Sequence, residues 1–286
     1  MNYRHAFHAG NFADVVKHAV LARILVHLCG KDAAFRVIDT HAGRGLYDLA
    51  DEASQRTGEW HGGIGRLDEA PLAGTAADLA APYLEAVQAT RALAGPLAYP
   101  GSPVLAQHLA RAQDRLVFVD KHPAEAEALR AAMGRDKRVR VVELDGWTAL
   151  NASVPPPEKR GLVLLDPPFE EPGEFDRMAQ RLAQAWRKWP TGVYAAWYPV
   201  KEPHAVEHFH AVVAASGVQR VLDLRVLRRP PTVPATLVGT GMVVVNPPWR
   251  LADDLAILLP ALADRLGSGS GASWSCNWLV PEQGRG

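Results

Sequence analysis

Five short apolar runs, each ending in a polar or turn residue, constrain this chain most. They occupy residues 36–39, 116–120, 139–145, 162–166 and 192–197. Runs almost continuous in Val, Leu and Ile read as strands buried on both faces, the condition of a parallel sheet. Helical spacing lies between them, at 123–133 with Pro123 in the first turn, and at 173–189. Strand and helix in alternation predict a mostly parallel, doubly wound α/β sheet.

The last third is different in kind. Residues 221–227 alternate apolar with polar, and 242–246 form a second run. The linker 228–240 is too short for a packed crossover helix, so these two strands are expected to be antiparallel neighbours. A Gly/Ser linker at 267–271 leads to a short final strand at 274–280. Before the first strand, residues 14–28 have helical spacing. Between Asp39 and Leu116 lies far more chain than the ~30 residues of a bare βαβ unit. The segment 51–98, with an alanine-rich helix at 76–93, is therefore read as an inserted helical subdomain. Residues 1–50 and 99–286 are left as the main domain.

Charge narrows the partners. Lys and Arg number 31 and so do Asp and Glu, so bulk charge does not coat a polyanion, which a local basic patch must meet instead. Arg225, Arg228 and Arg229 with Arg187, Lys188 and Lys201 are candidates, and an ordinary solvated face is an equal reading. Cys29 and Cys276, far apart, make neither a disulfide framework nor a zinc cluster. No metal is expected at the histidine-rich start either, which has no cysteine pair beside it. Met1 is followed by no apolar signal core, and no run is long enough to span a bilayer. A soluble cytoplasmic protein with no membrane partner is expected.

Asp39-Thr40-His41-Ala42-Gly43-Arg44-Gly45 follows a strand, where glycines let backbone approach a ligand. Alone it is more often an ordinary turn, and it lacks the six-residue dinucleotide fingerprint. Asp120 ends the second strand, where a carboxylate accepts from ribose hydroxyls or caps a helix. Asp145-Gly146 ends the third, where a side chain accepts from the adenine amino group of a nucleoside or makes a turn or helix N-cap. Asp166-Pro167-Pro168-Phe169 carries the sharpest chemistry. An aromatic amine is a poor nucleophile because its lone pair is delocalised. A carboxylate and the Pro167 carbonyl, both accepting from the NH2, favour a pyramidal nitrogen. The prolines stiffen the turn, and Phe169 offers a stacking face for the base. Together with the glycine loop, the motif predicts an S-adenosylmethionine-dependent methyltransferase acting on an exocyclic amine. Asn246-Pro247-Pro248-Trp249 has the same form. If its strand is reversed it exits at the opposite edge, so its expected role is structural. The polar start, with Tyr3, Arg4, His5, His8, Asn11, Lys17 and His18, is expected to fold over the pocket.

Taken in order, these pieces resemble the RlmJ-type methyltransferases, which modify adenine N6 in 23S ribosomal RNA. The likeness runs through Tyr3-Arg4-His5, His8-Ala9-Gly10-Asn11, Asp14-Val15-Val16-Lys17-His18, Asp39-Thr40-His41-Ala42-Gly43 and Thr57-Gly58-Glu59. It continues in Tyr99-Pro100-Gly101-Ser102-Pro103, Asp145-Gly146, Asp166-Pro167-Pro168, Trp197-Tyr198-Pro199 and Asn246-Pro247-Pro248-Trp249. It implies a Rossmann-like class I methyltransferase fold with a C-terminal antiparallel strand and a small helical insertion. Cofactor contacts are implied at Lys17, His18, His41, Ser102, Asp120, Asp145 and Gly146, beside Gly43 of the glycine loop. Catalysis is implied at Asp166, with Pro167 and Phe169 completing the motif. Tyr3 is implied on the substrate side, and Arg4, Trp197 and Tyr198 are expected near it. Two departures stand out. Asp120 replaces a Glu usual in the family, and Phe169 replaces a frequent Tyr, which keeps stacking but loses a hydroxyl.

The expected partner is 23S ribosomal RNA, with no obligate protein partner. A DNA adenine-N6 methyltransferase uses the same pocket chemistry. A protein glutamine methyltransferase is disfavoured by Asp rather than Asn at position 166. A non-catalytic RNA-binding assembly factor on this fold is disfavoured by the intact motif.

Overall fold

The five apolar runs become adjacent parallel strands in one eight-stranded sheet. This computed structural model describes residues 5–231 and 236–282, so Tyr3 and Arg4 lie outside the described residues. In chain order the strands are β1 (Arg36–Asp39), β2 (Leu46–Asp48), β3 (Ala98–Pro100), β4 (Arg115–Asp120), β5 (Val139–Glu143), β6 (Gly161–Leu165), β7 (Val193–Val200), β8 (Val221–Leu227), β9 (Gly239–Val245) and β10 (Ser273–Val280). The helices are α1 (Phe12–Cys29), α2 (Glu52–Thr57), α3 (Ile64–Glu69), α4 (Gly74–Ala94), α5 (Ser102–Leu109), α6 (Pro123–Met133), α7 (Gly146–Ser153), α8 (Glu174–Lys188), α9 (Pro203–Ala215) and α10 (Leu251–Leu266).

The sheet order is β10-β8-β9-β7-β6-β1-β4-β5. From β5 across to β7 every pairing is parallel. β9 runs antiparallel to both β7 and β8, which is the reversed strand expected from the short linker. β10 is reversed as well, antiparallel to β8. This is the Rossmann-like class I arrangement, with β1 at the point where the strand order switches direction.

Apolar residues fill both faces of the sheet. One core layer holds α1, α4 and α10, with Phe35, Phe118 and Leu164 from the strand side. The other holds Trp147, Leu182 and Phe209 of α7, α8 and α9. α1 is buried nearly all round, its apolar residues spread over every face and Asp14, Lys17 and His18 buried with them. Asn11 caps it, its Oδ1 accepting from the N–H groups of Ala13 (2.9 Å) and Asp14 (3.0 Å).

The segment expected to be an inserted helical subdomain holds α2, α3 and α4. The antiparallel pair β2–β3 draws its two ends together. Glu59, in the short 3-10 turn Glu59–Gly62 between α2 and α3, ties it to the start of α1. Its Oε2 meets His8 Nδ1 at 3.0 Å and accepts from Asn11 Nδ2 at 2.9 Å. No helix among the described residues is long and apolar enough to cross a membrane.

Candidate active site

Chain paths diverge at the carboxyl ends of β1 and β6, towards β4 on one side and β7 on the other, and a crevice opens there. It holds a cavity of about 320 Å³. All the residues expected at a cofactor line it: Lys17, His18, His41, Gly43, Ser102, Asp120, Asp145 and Gly146. Asp166 and Pro168 close one wall. A second cavity of about 220 Å³ lies beyond that wall, lined by His8, Asn11, Asp14, Glu59, Phe169, Trp197 and Lys201. Lys17, Asp166 and Pro168 border both.

The loops after β1, β4 and β5 are held by their own backbone. Asp120 accepts from Gly43 N–H (3.0 Å) and His122 N–H (2.8 Å), which fixes both of its oxygens at the strand end. Burial nevertheless pushes its carboxyl above the usual range, against the pull of those two N–H groups. Gly43 sits at φ 59°, and a Cβ there meets the Tyr47 hydroxyl at 2.5 Å. At Gly146 a Cβ meets the Thr40 carbonyl at 2.2 Å, so only glycine lets α7 begin against the β1 loop. Asp145 caps α7, accepting from the Thr148 N–H and hydroxyl, both at 2.8 Å. Partial burial works to raise its carboxyl, but those bonds hold it below the usual range. His41 lies edge-on to Trp147, ring centroids 5.0 Å apart, and burial lowers it to about 4, leaving it neutral. Asp39, fully buried below the glycine loop, accepts from Ser102 Oγ (2.6 Å) and His41 N–H (3.2 Å); burial lifts it to about 7.

Lys17 is the pivot between the cavities. Its ammonium lies 2.8 Å from Asp14 Oδ1 and 2.6 Å from Asp166 Oδ2, with its side chain 4% exposed. Burial opposes its charge, but attraction to Asp14 and Asp166 and their hydrogen bonds raise its pKa above the ordinary value. Asp14 also accepts from Gly10 N–H at 3.0 Å, which orients it. Past the motif, Phe169 adopts φ 52°, a strained conformation for an aromatic residue. Contacts hold it there: Phe175 at 4.8 Å between ring centroids and Trp197 at 5.7 Å, edge to face. Trp197 is itself fixed by its Nε1–H donating to Thr240 Oγ1 at 2.7 Å.

Some expectations are corrected. Tyr198 lies in the opposite core, fully buried, its hydroxyl donating to Asp223. Successive residues of a strand point to opposite faces, so Trp197 and Tyr198 cannot both face the pocket. Pro167 is buried and lines neither cavity, while Pro168 lines both. The basic patch does not form as one surface. Arg187 and Lys188 end α8, at the amino ends of the parallel strands, where they bond Ser216 and Asn151. Arg225 pairs with Asp223. Arg228 lies over the Phe12 ring and donates to the Leu266 carbonyl. Of that group, Lys201 borders the second cavity. Asn246 leaves the reversed β9 at the far end of the sheet, donating to the carbonyls of Pro190 (2.7 Å) and Gly192 (2.8 Å), the structural role expected of it. Asp14, Glu59 and Trp147 went unassigned from sequence. Asp14 had a local signal, its i,i+3 spacing to Lys17, whereas Glu59 reaches the cavity only through the tertiary fold.

The likeness to known proteins covers nearly the whole chain. A family model described as "Ribosomal RNA large subunit methyltransferase D, RlmJ" matches residues 32–280. The chain is 36% identical over 285 residues to "Ribosomal RNA large subunit methyltransferase J" of Escherichia coli (strain K12), covering 99% of this chain and 100% of that protein. It is 37% identical over 284 residues to the protein of the same name from Haemophilus influenzae, again covering 99% and 100%. A crystal structure of a protein from Legionella pneumophila aligns with a TM-score of 0.85 at 32% identity, covering 95% of this chain and 98% of that one.

Proposed function

Because the chain belongs to the RlmJ family of ribosomal RNA large-subunit methyltransferases, it is an S-adenosylmethionine-dependent enzyme, and we propose that it methylates N6 of a 23S adenosine where its two cavities meet. The observation that carries this reading is Asp166, whose carboxylate stands on the wall common to both cavities. The larger cavity fits the cofactor. Its carboxylates, Asp120, Glu125, Asp145, Asp166, Glu170, Glu171 and Glu174, outnumber Lys17, Lys121 and Arg177. That surplus favours a cationic ligand over the pyrophosphate of a dinucleotide. Asp120 stands where ribose hydroxyls are bound, and Gly146 keeps the cradle clear of a side chain. Bound there, S-adenosylmethionine supplies an electrophilic methyl group on a cationic sulfur.

The smaller cavity takes the target base, unpaired or flipped from its helix. Phe169 and Trp197 form its aromatic wall. Lys17 engages Asp166 Oδ2 and so leaves Oδ1 to accept from the exocyclic amine. Accepting that N–H draws the nitrogen toward a pyramidal geometry and frees its lone pair. The protein's contribution is positioning and electrostatics rather than covalent chemistry. Asp14, Lys17 and Asp166 together carry one net negative charge, which favours a cationic methyl donor beside them. Lys201, on the rim, is suited to a phosphate of the RNA. A ribosomal RNA substrate supports action in the cytoplasm. In this reading residues 51–98 are a helical insertion in the domain formed by 1–50 and 99–286, and the β2–β3 closure supports that division.

The test is transfer of labelled methyl from S-adenosylmethionine to unmodified 23S RNA, followed by nucleoside digestion. Wild type is expected to yield N6-methyladenosine and Asp166→Ala none, with cofactor affinity within a fewfold of wild type. Label entering DNA but not RNA, or equal loss of binding and turnover, would overturn the assignment.

A further inference from the structure

The six basic residues singled out in the sequence do not share one surface, but three of them meet Arg66 of the insertion at one edge of the sheet. Leu227, Gly239 and Val200 stand in one register row across β8, β9 and β7. Just past that row, Arg228 N–H donates to the Val238 carbonyl (2.9 Å) and Val238 N–H to the Val200 carbonyl (3.0 Å). Arg228 and Lys201 therefore leave the sheet side by side, about 10 Å apart across two strand spacings. They leave at the carboxyl ends of β8 and β7, where the second cavity opens. Leu237, next to Val238, lines that cavity together with Lys201.

Arg228 is built into this place. Its guanidinium lies 4.8 Å from the centroid of the Phe12 ring on α1, and its Nε donates to the Leu266 carbonyl at 2.8 Å. A Cβ on Gly62 would meet its Nη2 at 2.9 Å, so the insertion runs directly against it. Neither terminal nitrogen has an acceptor among the described residues, and both reach the surface. Arg66 lies one turn beyond Gly62, in α3, its N–H held by the Gly63 carbonyl at 3.0 Å. Arg229 touches the Thr236 hydroxyl at 3.4 Å. Arg66, Arg229 and Lys201 are exposed. None of the four is ion-paired with a carboxylate among the described residues, whereas Arg23, Arg44 and Arg91 each hold one at 2.7–2.8 Å. Burial, and after it the like charges of Arg66 and Arg229, hold the Arg228 pKa below its ordinary value, with Glu59 opposing more weakly. Like charges gathered without counterions repel in the free protein. A ligand with repeated negative charges turns that repulsion into attraction.

We infer that Arg66, Arg228, Arg229 and Lys201 form a strip at the mouth of the second cavity that binds phosphates of the RNA strand flanking the target nucleotide. The inference rests on reading that cavity as the base site. It gives the insertion a part in substrate binding, through Arg66. It also supplies the local basic surface that a chain of balanced charge needs for a polyanion. Phosphate contacts position a strand without reading its bases, so the strip sets affinity and register rather than the choice of adenosine.

The dissociation constant of in-vitro-transcribed, unmodified 23S RNA, measured by filter retention over a series of KCl concentrations, tests it in the full-length protein. Arg66→Gln and Arg229→Gln are combined because both side chains are exposed, whereas Arg228 is packed on Phe12 and its loss would disturb the fold. The double variant is expected to bind the RNA roughly tenfold more weakly in low salt. The slope of log affinity against log salt is expected to fall by about 1.4–1.8, the counterions of two phosphates. Affinity for S-adenosylmethionine and turnover at saturating RNA are expected to stay as in the wild type. Arg187→Gln with Lys188→Gln removes two charges at the opposite end of the sheet and is expected to leave the slope unchanged. An unaltered slope in the Arg66/Arg229 variant would overturn the inference. So would an equal drop from the Arg187/Lys188 variant, which would assign the effect to bulk charge. If the wild type transfers no methyl to this RNA, the reading of the cavity fails separately, and the slopes, which need no turnover, still decide the strip.

Discussion

Asp39→Asn is expected to make the protein more stable at neutral pH and to leave it unchanged in acid. The folded carboxyl is lifted from its ordinary 3.8 to about 7, chiefly by burial and partly by the nearby Asp166 charge. The folded state therefore keeps a proton that the unfolded chain has released. A group with its pKa raised on folding contributes its full stability below the unfolded value and loses it as pH rises through the folded one. Each pH unit between the two corresponds to about 1.4 kcal/mol. The wild type should thus lose on the order of 4 kcal/mol from this group between pH ~4 and ~7. Asn reproduces the protonated shape. Its Oδ1 accepts from His41 N–H, and its amide donates to Ser102 Oγ where the carboxylate accepts. Urea denaturation at intervals from pH 4 to 8 reads the effect. The difference between variant and wild type is expected near zero at pH 4 and to grow to several kcal/mol by pH 8. A constant difference across that range would refute the reasoning, because only the removed titration produces a slope.

Two further perturbations test the wall between the cavities. Lys17→Met keeps bulk and removes the ammonium that bonds both buried carboxylates, Asp14 and Asp166. It should cost about 3–5 kcal/mol in urea unfolding, and a cost below about 1 kcal/mol would mean that solvent already screens the pair. Phe169→Ala should raise KM for RNA roughly tenfold or more through lost stacking, whereas Tyr198→Phe should leave KM unchanged and lower stability by ~1–2 kcal/mol. Equal kinetic damage from both would place the base elsewhere.

Where a residue's role follows from its strand, the sequence was enough. The apolar runs predicted β1, β4 and β6 to within a residue or two, because a strand buried on both faces tolerates little but Val, Leu and Ile; β5 was found to the same accuracy but lies at the sheet edge, with Arg140 and Glu143 exposed. The short linker after β8 predicted its antiparallel partner β9. Roles that depend on side-chain direction were harder. Trp197-Tyr198 reads as an aromatic pair, but the pleat sends one ring to the second cavity and the other into the far core. Arg225 and Arg187 read as basic, yet their positions in β8 and at the end of α8 give them to other tasks. Glu59 fell within the family likeness but had no role to read, because its partners, His8 and Asn11, are distant in sequence and meet it only when the insertion folds back.

Strand direction and backbone geometry together explain why one proline pair is a site and its double is not. Asp166-Pro167-Pro168-Phe169 leaves β6, which is parallel to β1, so its carboxylate emerges beside the glycine loop. Asn246-Pro247-Pro248-Trp249 leaves β9, which is reversed, so it emerges where β7 and β8 begin. The turns also differ. In the first, the left-handed residue is Phe169, after the prolines; in the second it is Asn246, before them, both with φ 52°. Asn visits that region readily and uses its amide to tie down the Pro190 and Gly192 carbonyls. An aromatic residue does not, and at Phe169 the strain is held by packing against Phe175 and Trp197. Trp249, by contrast, is 74% exposed and has no aromatic cluster among the described residues to hold it. Moving an Asp to position 246 would therefore not create a second catalytic turn: it would lose the amide donors and face away from the cofactor.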